Sequence, residues 1–132
     1  MSISTLEEAR NFFKDDIFAT EVSGIIIEEA GEQYARCSME ITPKHLNAGH
    51  SVMGGALFTL ADFTFAVASN FNRSLTVTLD SQIRFLKAAK GNILYSEAKC
   101  TRETSKISFY TIDVTDNEGI HVAQVTSTGY KK

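Results

Sequence analysis

The chain contains 132 residues, of which 43% are apolar and 22% are charged, a balance that indicates a folded protein with a core and argues against disorder. The formal net charge of −3 supplies no general attraction for nucleic acid or for an anionic membrane, so neither is expected as a partner. Two cysteines with no CxxC pairing, Cys37 and Cys100, and an N-terminal segment unlike a targeting peptide predict reduced thiols and a cytoplasmic location.

A short helix is predicted after Thr5, which can cap it. Its apolar positions recur at helical spacing: Leu6, Ala9, Phe12 and Phe13. Two strand-like stretches, residues 23–29 and 33–41, then predict a hairpin that turns at Gly31. Pro43 ends the second strand, and a polar loop follows it.

The most informative segment is GGALFTLADFTFAVASN, which begins at Gly54. After its first two residues it contains no glycine and no proline, and it is apolar on nearly every side. It is therefore predicted to be a helix enclosed by the rest of the protein. It is too short to span a bilayer comfortably, and Asp62 is its only ionisable residue.

After residue 72 the hydrophobic pattern changes to a period of two. Four more strands are predicted, at residues 75–85, 93–102, 107–115 and 120–128. The short links between them favour antiparallel hairpins. The predicted fold class is α+β, with residues 1–132 forming one domain whose antiparallel sheet wraps around the central apolar helix.

A chemically useful constellation lies around the start of that helix. The first N–H groups of a helix have no internal acceptor, and Gly54 and Gly55 would let a carbonyl oxygen approach them closely. Asn47 adds a side-chain donor, and apolar surroundings would make Asp62 a stronger base or nucleophile. The alternatives are that the glycines only give the chain flexibility before the helix and that Asp62 is a structural acid.

The spacing of Gly54 and Asp62 adds a constraint. Eight residues of helix separate them by about 12 Å, too far for both to act on one carbonyl within one chain. If they cooperate, they come from two copies of the chain. The sequence thus predicts a site at a two-fold interface and a homodimer as the functional unit.

The sequence contains no motif for a metal site or for the other chemistries considered. The histidines have no carboxylate or thiol at metal-ligand spacing, so no metal is predicted: His45, His50 and His121. His45 and His50 are expected to be exposed loop residues. The chain has no GxxxxGK[ST], GxGxxG or GxSxG motif.

The stretch HLNAGHSVMGGALFTLADFTFAVASN resembles the signature of the PaaI-like (phenylacetate-degradation type) hotdog thioesterases, roughly Asn-x-x-Gly-x-x-His-Gly-Gly, a short gap, then Leu-Ala-Asp. The residues in register are Asn47, Gly54, Gly55, Leu60, Ala61 and Asp62. The similarity is dense over residues 46–89. It implies a hotdog fold, dimers that usually pair into tetramers, and hydrolysis of an acyl-CoA thioester with no cofactor beyond the CoA of the substrate.

The resemblance also implies residue roles. Asp62 would be the general base or nucleophile, the Gly54 N–H would polarise the thioester carbonyl, and Asn47 would hold that carbonyl or the attacking water. Other residues are predicted to contact substrate: Gly55, Met53, His50, Thr78, Lys87 and Lys90. Thr78 matches a position where the family often has an assisting Ser or Thr, on the strand facing the helix. The two lysines would meet the CoA phosphates, unless they are simply solvated.

Two positions depart from the family pattern. Met53 stands where the family has a histidine, and His50 stands where it has a glycine. The missing histidine leaves a second interpretation open, a non-catalytic acyl-CoA-binding hotdog domain, unless His50 takes its place. A hotdog hydratase or dehydratase would need a catalytic histidine, and nothing specific favours a structural or protein-interaction module. The acyl group, aryl or aliphatic, is left open.

Overall fold

Six antiparallel strands form one sheet in the computed structural model, which describes residues 2–132. In chain order, β1 to β6 are Ile25–Gly31, Tyr34–Glu40, Thr76–Phe85, Ile93–Glu103, Ile107–Asp116 and His121–Lys131. They lie in the order β1-β2-β4-β5-β6-β3. All the predicted strands are confirmed. Register shifts interrupt every pairing except that of β2 with β4, and such bulges increase the local twist with which a sheet curls around a helix.

Both predicted helices are present. Helix α1 is Leu6–Phe13, and the Glu8 N–H donates to Thr5 Oγ1 at 3.0 Å, which confirms the predicted cap. Helix α2 is Gly54–Asn70. The rings of Phe13 and Phe63 meet edge to face at 5.6 Å, so α1 packs directly on α2.

The core is the seam between α2 and the sheet. The largest side chains that are fully buried there come from both layers: Met39, Leu60, Phe65, Val67, Leu94, Ile112, Val114 and Val125. The Phe65 ring contacts the Tyr110 ring edge to face at 5.2 Å. Each such aliphatic or aromatic side chain contributes about 1.5–3 kcal/mol when it leaves water, so this seam fixes where α2 sits.

Helix α2 is not enclosed on every side within one chain, contrary to expectation. Residues at intervals of three or four along it remain partly or fully exposed, and we call them the open stripe: Gly55, Phe58, Thr59, Asp62 and Ala66. The sheet covers only the opposite side of the helix. An apolar helix face left uncovered in this way is a surface on which something else can pack.

The predicted hairpin of β3 with β4 is wrong. Strand β3 crosses to the far edge of the sheet and pairs with β6, whereas β4 pairs with β2 and β5. Residues 86–92 make the connection, and a loop of that length can carry the chain away from its neighbour. The sheet therefore has β1 at one edge and β3 at the other.

Smaller features were missed or displaced. One π-helical turn, Phe18–Val22, precedes β1, and a 3-10 turn, Pro43–His45, follows β2. The first hairpin turns at Gln33, whose φ is 58°, and Gly31 still belongs to β1. Among residues 2–132 no helix has the length and apolarity needed to cross a membrane.

Candidate active site

Asp62 lies midway along the open stripe, in the wall of a cavity of about 430 Å³ that we call the Asp62 cavity. The cavity is lined by Asp16, Ile17, Phe18, Ala19, Phe58, Thr59, Asp62, Phe63 and Ala66. Burial strips water from the carboxylate and raises the pKa of Asp62, and the nearby charge of Asp16 raises it further. A carboxylate in these surroundings is a stronger base than an exposed one.

Helical threonines do not hold Asp62 as a structural acid. The Thr59 hydroxyl donates to the Gly55 carbonyl at 2.8 Å, and the Thr64 hydroxyl donates to the Leu60 carbonyl at 2.7 Å. No hydrogen bond within residues 2–132 reaches the Asp62 carboxylate, and its pKa is not lowered by any donor. A half-buried acid without such a partner is costly to the fold, which favours a chemical role over a structural one.

Asp16 is a member of this site that the sequence did not single out. It precedes the π-helical turn and shares the Asp62 cavity with it. Its own pKa is raised by burial and by the neighbouring Asp15. The only sequence signal was an acidic pair followed at once by two apolar residues, Ile17 and Phe18, which are 51% and 63% exposed and form the rim of the cavity.

Gly54 faces a different cavity, of about 420 Å³, which we call the Gly54 cavity. It is lined by Ser51, Val52, Gly54, Leu57, Phe85, Leu86, Lys87, Ala88, Ala89 and Val122, none of which lines the Asp62 cavity. A Cβ at Gly54 would come within 2.8 Å of Phe85 Cζ, so a larger residue could be accommodated there only if this ring moved aside. Phe85 is therefore a second site residue that the sequence did not reveal.

The backbone at the start of α2 offers free donors. Met53 is the N-terminal cap residue, and its carbonyl already accepts from Ala56 and Leu57 N–H. No backbone hydrogen bond within residues 2–132 uses the N–H of Gly54 or Gly55. Such donors at the positive end of a helix are suited to a developing oxyanion.

Asn47 organises the loop before α2. Its side-chain Oδ1 accepts from Gly49 N–H at 2.9 Å and from Ser51 N–H at 3.1 Å. Asn47 is itself exposed, and its Nδ2 donates to no other residue of the described chain. The amide N–H₂ of Asn47 is therefore still available as a donor, and its role in the site stays a prediction.

The two departures from the family pattern lie outside the Gly54 cavity. Met53 is 54% exposed and lines a neighbouring cavity together with Gly55. His50 is exposed with a φ of 66°, a conformation that suits glycine, which explains why glycine fits the family position. Because the His50 side chain lines neither cavity, nothing within one chain supports its replacing the missing histidine.

His45 corrects the expectation of two exposed loop histidines. It is buried, with 6% of its surface exposed. Its Nδ1 accepts from Thr42 N–H at 3.0 Å, so its Nε2 carries the proton and donates to the Ser23 carbonyl at 2.8 Å. His45 thus ties the 3-10 turn to the segment before β1.

The remaining predicted residues are spread over the surface. Thr78 is exposed on edge strand β3, at a register shift, and lines neither cavity. Lys87 lines the Gly54 cavity, and Lys90 is exposed further along the same loop. Within one chain the predicted residues therefore fall into separate groups around Gly54 and around Asp62.

Comparison with known proteins resolves the family. Residues 49–123, more than half of the chain, match the sequence model of the Thioesterase superfamily. The chain belongs to the thioesterase superfamily. The predicted enzyme class and the PaaI-like resemblance of the α2 segment are thereby confirmed.

Relatives of this thioesterase agree in sequence and in fold. Acyl-coenzyme A thioesterase PaaI of Escherichia coli K12 is 30% identical over 124 residues, which span 93% of this chain and 88% of that protein. The solved structure of the E. coli PaaI protein from the phenylacetic acid degradation operon matches with a TM-score of 0.88 at 24% identity, covering 96% of this chain and 93% of that one. A hypothetical thioesterase protein of Streptococcus pneumoniae TIGR4, solved with coenzyme A, matches with a TM-score of 0.83 at 26% identity over 91% and 96%. The predicted hotdog fold is confirmed.

Proposed function

We propose that this thioesterase hydrolyses acyl-CoA thioesters to the free acid and CoA, at a site shared by two copies of the chain. The observation that carries the proposal is Asp62, a half-buried carboxylate with a raised pKa and no hydrogen bond from the described chain, in an otherwise mostly apolar cavity. The acyl-CoA thioesterase activity in the name of the E. coli relative and the coenzyme A in the S. pneumoniae structure support this choice of substrate.

Asp62 supplies the base or the nucleophile. As a base it takes a proton from water while the oxygen attacks the thioester carbonyl carbon; the C–S bond then breaks, and the CoA thiolate leaves and regains the proton. As a nucleophile it attacks the carbonyl carbon, the C–S bond breaks as the CoA thiolate leaves, and water then hydrolyses the acyl anhydride to the free acid and the carboxylate. Both routes need the ionised carboxylate, which burial makes more basic.

Gly54 stabilises the oxyanion that develops on the carbonyl. Its N–H is the first of α2 and has no acceptor in the described chain. Asn47 Nδ2 holds the carbonyl or the attacking water, and Thr78 on β3 assists. Lys87 and Lys90 meet the CoA phosphates.

A homodimer completes the site in this proposal. Gly54 and Asp62 line separate cavities of one chain, so a single carbonyl meets both only if a second copy contributes one of them. Strand β3 is an unpaired edge that carries Leu79 and Phe85, which are 57% and 59% exposed, and such an edge pairs readily with another strand. Dimers of this kind would pair further into the homotetramer that the resemblance implies.

The chemical test uses thiol release from a panel of aryl- and aliphatic acyl-CoAs. The rate of thiol release by Asp62→Ala is expected to be about a hundredfold or more below that of the wild type, which is the range for the loss of a catalytic acid or base. The control is Asp113→Ala, a carboxylate on β5 that lines neither cavity, and it is expected to retain activity. If the wild type binds acyl-CoA but releases no thiol, the binding-domain interpretation replaces this one.

The shared site is tested by mixing two inactive variants. Asp62→Ala and Gly54→Val are co-refolded so that mixed dimers form. In a mixed dimer one site carries both lesions, whereas the other receives an intact glycine from one chain and an intact acid from its partner. Statistical mixing should restore about a quarter of wild-type activity. Mixtures that stay inactive, although mixed dimers are detected, would place both groups in one chain.

A further inference from the structure

Asp116, the last residue of β5, is buried and accepts four backbone hydrogen bonds. Its Oδ2 accepts from the N–H groups of Lys90 at 2.7 Å and Gly91 at 2.9 Å. Its Oδ1 accepts from Glu118 and Ile120 N–H, both at 2.9 Å. Burial alone would raise the pKa of Asp116, but the four donors bring it down to about 2, so the carboxylate is ionised at neutral pH.

The next residue reinforces the same link. Asn117 Oδ1 accepts from Asn92 N–H at 3.0 Å and from Ile93 N–H at 3.2 Å, and Asn117 Nδ2 donates to Asn92 Oδ1 at 2.8 Å. A Cβ at Gly91 would overlap the Asn117 side-chain amide, so glycine is needed for this close approach. Hydrogen bonds with the β5–β6 turn thus fix one end of the loop formed by residues 86–92.

The other end of the loop is fixed by hydrogen bonds to β6. Leu86 and Lys87 N–H both donate to the Val122 carbonyl, at 2.8 and 3.2 Å. Between the two attachments the loop lays Lys87, Ala88 and Ala89 along the wall of the Gly54 cavity. A seven-residue connection that would otherwise be mobile is therefore held in one conformation at the mouth of the candidate active site.

The loop carries two positively charged side chains, Lys87 and Lys90. Lys87 is the only ionisable residue lining the Gly54 cavity, and Lys90 follows it three residues later. Neither lysine takes part in an ion pair within the described chain. In a protein with a net charge of −3, a phosphate group has to find such a local pair of cations.

We propose that Asp116 is a positioning residue for substrate binding, which fixes the 86–92 loop so that Lys87 and Lys90 contact the phosphates of the acyl-CoA. The inference rests on the proposed function. It assigns to Asp116 an effect only on how tightly the CoA portion of the substrate binds. The carboxylate lines neither cavity and contacts no reacting atom. It acts through the backbone of the loop.

The test compares hydrolysis of an acyl-CoA with that of the N-acetylcysteamine thioester of the same acyl group, which carries no phosphate. Asp116→Asn presents its amide N–H₂ to backbone donors and loosens the loop. It is expected to raise KM for the acyl-CoA about five- to tenfold while kcat, and KM for the short thioester, stay within about twofold. Asp113→Asn, a half-exposed carboxylate on the same strand, is the control and should change neither.

Two further measurements connect Asp116 with the lysines. The double substitution Lys87→Ala and Lys90→Ala should reproduce the rise in KM, and adding Asp116→Asn to it should have little extra effect, because all three act through one contact. Raising the salt concentration should shrink the difference between Asp116→Asn and the wild type, since exposed charges are screened.

If Asp116→Asn does not fold, Gly91→Ala is measured in the same way, because it displaces the loop and leaves the Asp116 carboxylate in place. An unchanged KM for the acyl-CoA overturns the inference. So does a folded variant whose kcat/KM falls equally for both thioesters. Failure of the wild type to hydrolyse either thioester is a different result and contradicts the proposed function itself.

Discussion

The Phe85 ring lies so close to Gly54 that a Cβ on the glycine would come within 2.8 Å of Cζ and 3.0 Å of Cε1. Phe85 is 59% exposed within one chain, so the rest of that chain leaves the ring room to move. The contact ties the first residue of α2 to the last residue of β3. Gly54 therefore shapes the cavity through this one contact. A small residue at the start of the helix is not needed for any other reason that the contacts show.

Gly54→Ala should therefore lower kcat/KM about tenfold or more by displacing Phe85 from the cavity wall, with little change in thermal stability. Removing the ring as well, in Gly54→Ala with Phe85→Ala, should recover part of the loss. Gly55→Ala is the control: its Cβ meets no atom of the chain within 4 Å, so Phe85→Ala should bring it no recovery. Rates and melting temperatures of these four variants and of Phe85→Ala alone measure the coupling between the positions. Absence of coupling between positions 54 and 85 would remove Phe85 from the site.

Asp62→Asn should abolish activity and at the same time stabilise the protein. Because the folded state raises the pKa of Asp62, the ionised carboxylate is less favourable in the folded than in the unfolded chain. The melting temperature of Asp62→Asn should exceed that of the wild type at neutral pH. The difference should vanish below pH 3.8, the ordinary value for the group, where the acid is protonated in both states. Asp15→Asn is the matched exposed control, and a lower melting temperature for Asp62→Asn at neutral pH would contradict the argument.

The pH dependence of hydrolysis should report the raised pKa of Asp62 directly. If the ionised form is needed, kcat/KM falls as the pH drops through that pKa, and the acidic limb lies above pH 3.8. Asp16→Asn removes the neighbouring negative charge and should move the limb to lower pH, whereas Asp15→Asn should leave it in place. Equal shifts for the two variants would mean that Asp16 has no special relation to Asp62.

His50→Gly should raise the free energy of unfolding by about 1 kcal/mol, since histidine occupies a left-handed conformation there with a φ of 66°. Asn72 has a φ of 56°, but asparagine adopts this conformation more easily, so Asn72→Gly should gain less. Chemical denaturation of both variants provides the comparison. A gain for Asn72→Gly as large as that for His50→Gly would count against backbone strain as the cause.

The sequence was sufficient for the elements and for the separation of the two chemical groups. Period-two patterns located the four strands after residue 72, strand-like stretches located the first two, and the run from Gly54 to Asn70 located α2. The eight-residue spacing of Gly54 and Asp62 predicted that one chain could not bring them together, and they do line different cavities.

What the sequence did not reveal depended on contacts between distant segments. The partner of β3 is β6, and no local pattern distinguishes that pairing from a hairpin with β4. Asp16 enters the Asp62 cavity only because a π-helical turn folds back over α2, and Phe85 meets Gly54 across the sheet–helix boundary. His45 can be buried because its Nε2–H donates a hydrogen bond to a backbone carbonyl 22 residues earlier in the chain.

The pairing of β3 with β6 also governs the order in which the protein can be completed during synthesis. Strand β3 leaves the ribosome directly after α2, but its partner is made only after β4 and β5. Until then the nascent chain carries an apolar helix under an unfinished sheet and a strand with two open sides, features that invite aggregation. We therefore expect folding to be sensitive to changes in β6, independently of any residue of the candidate active site.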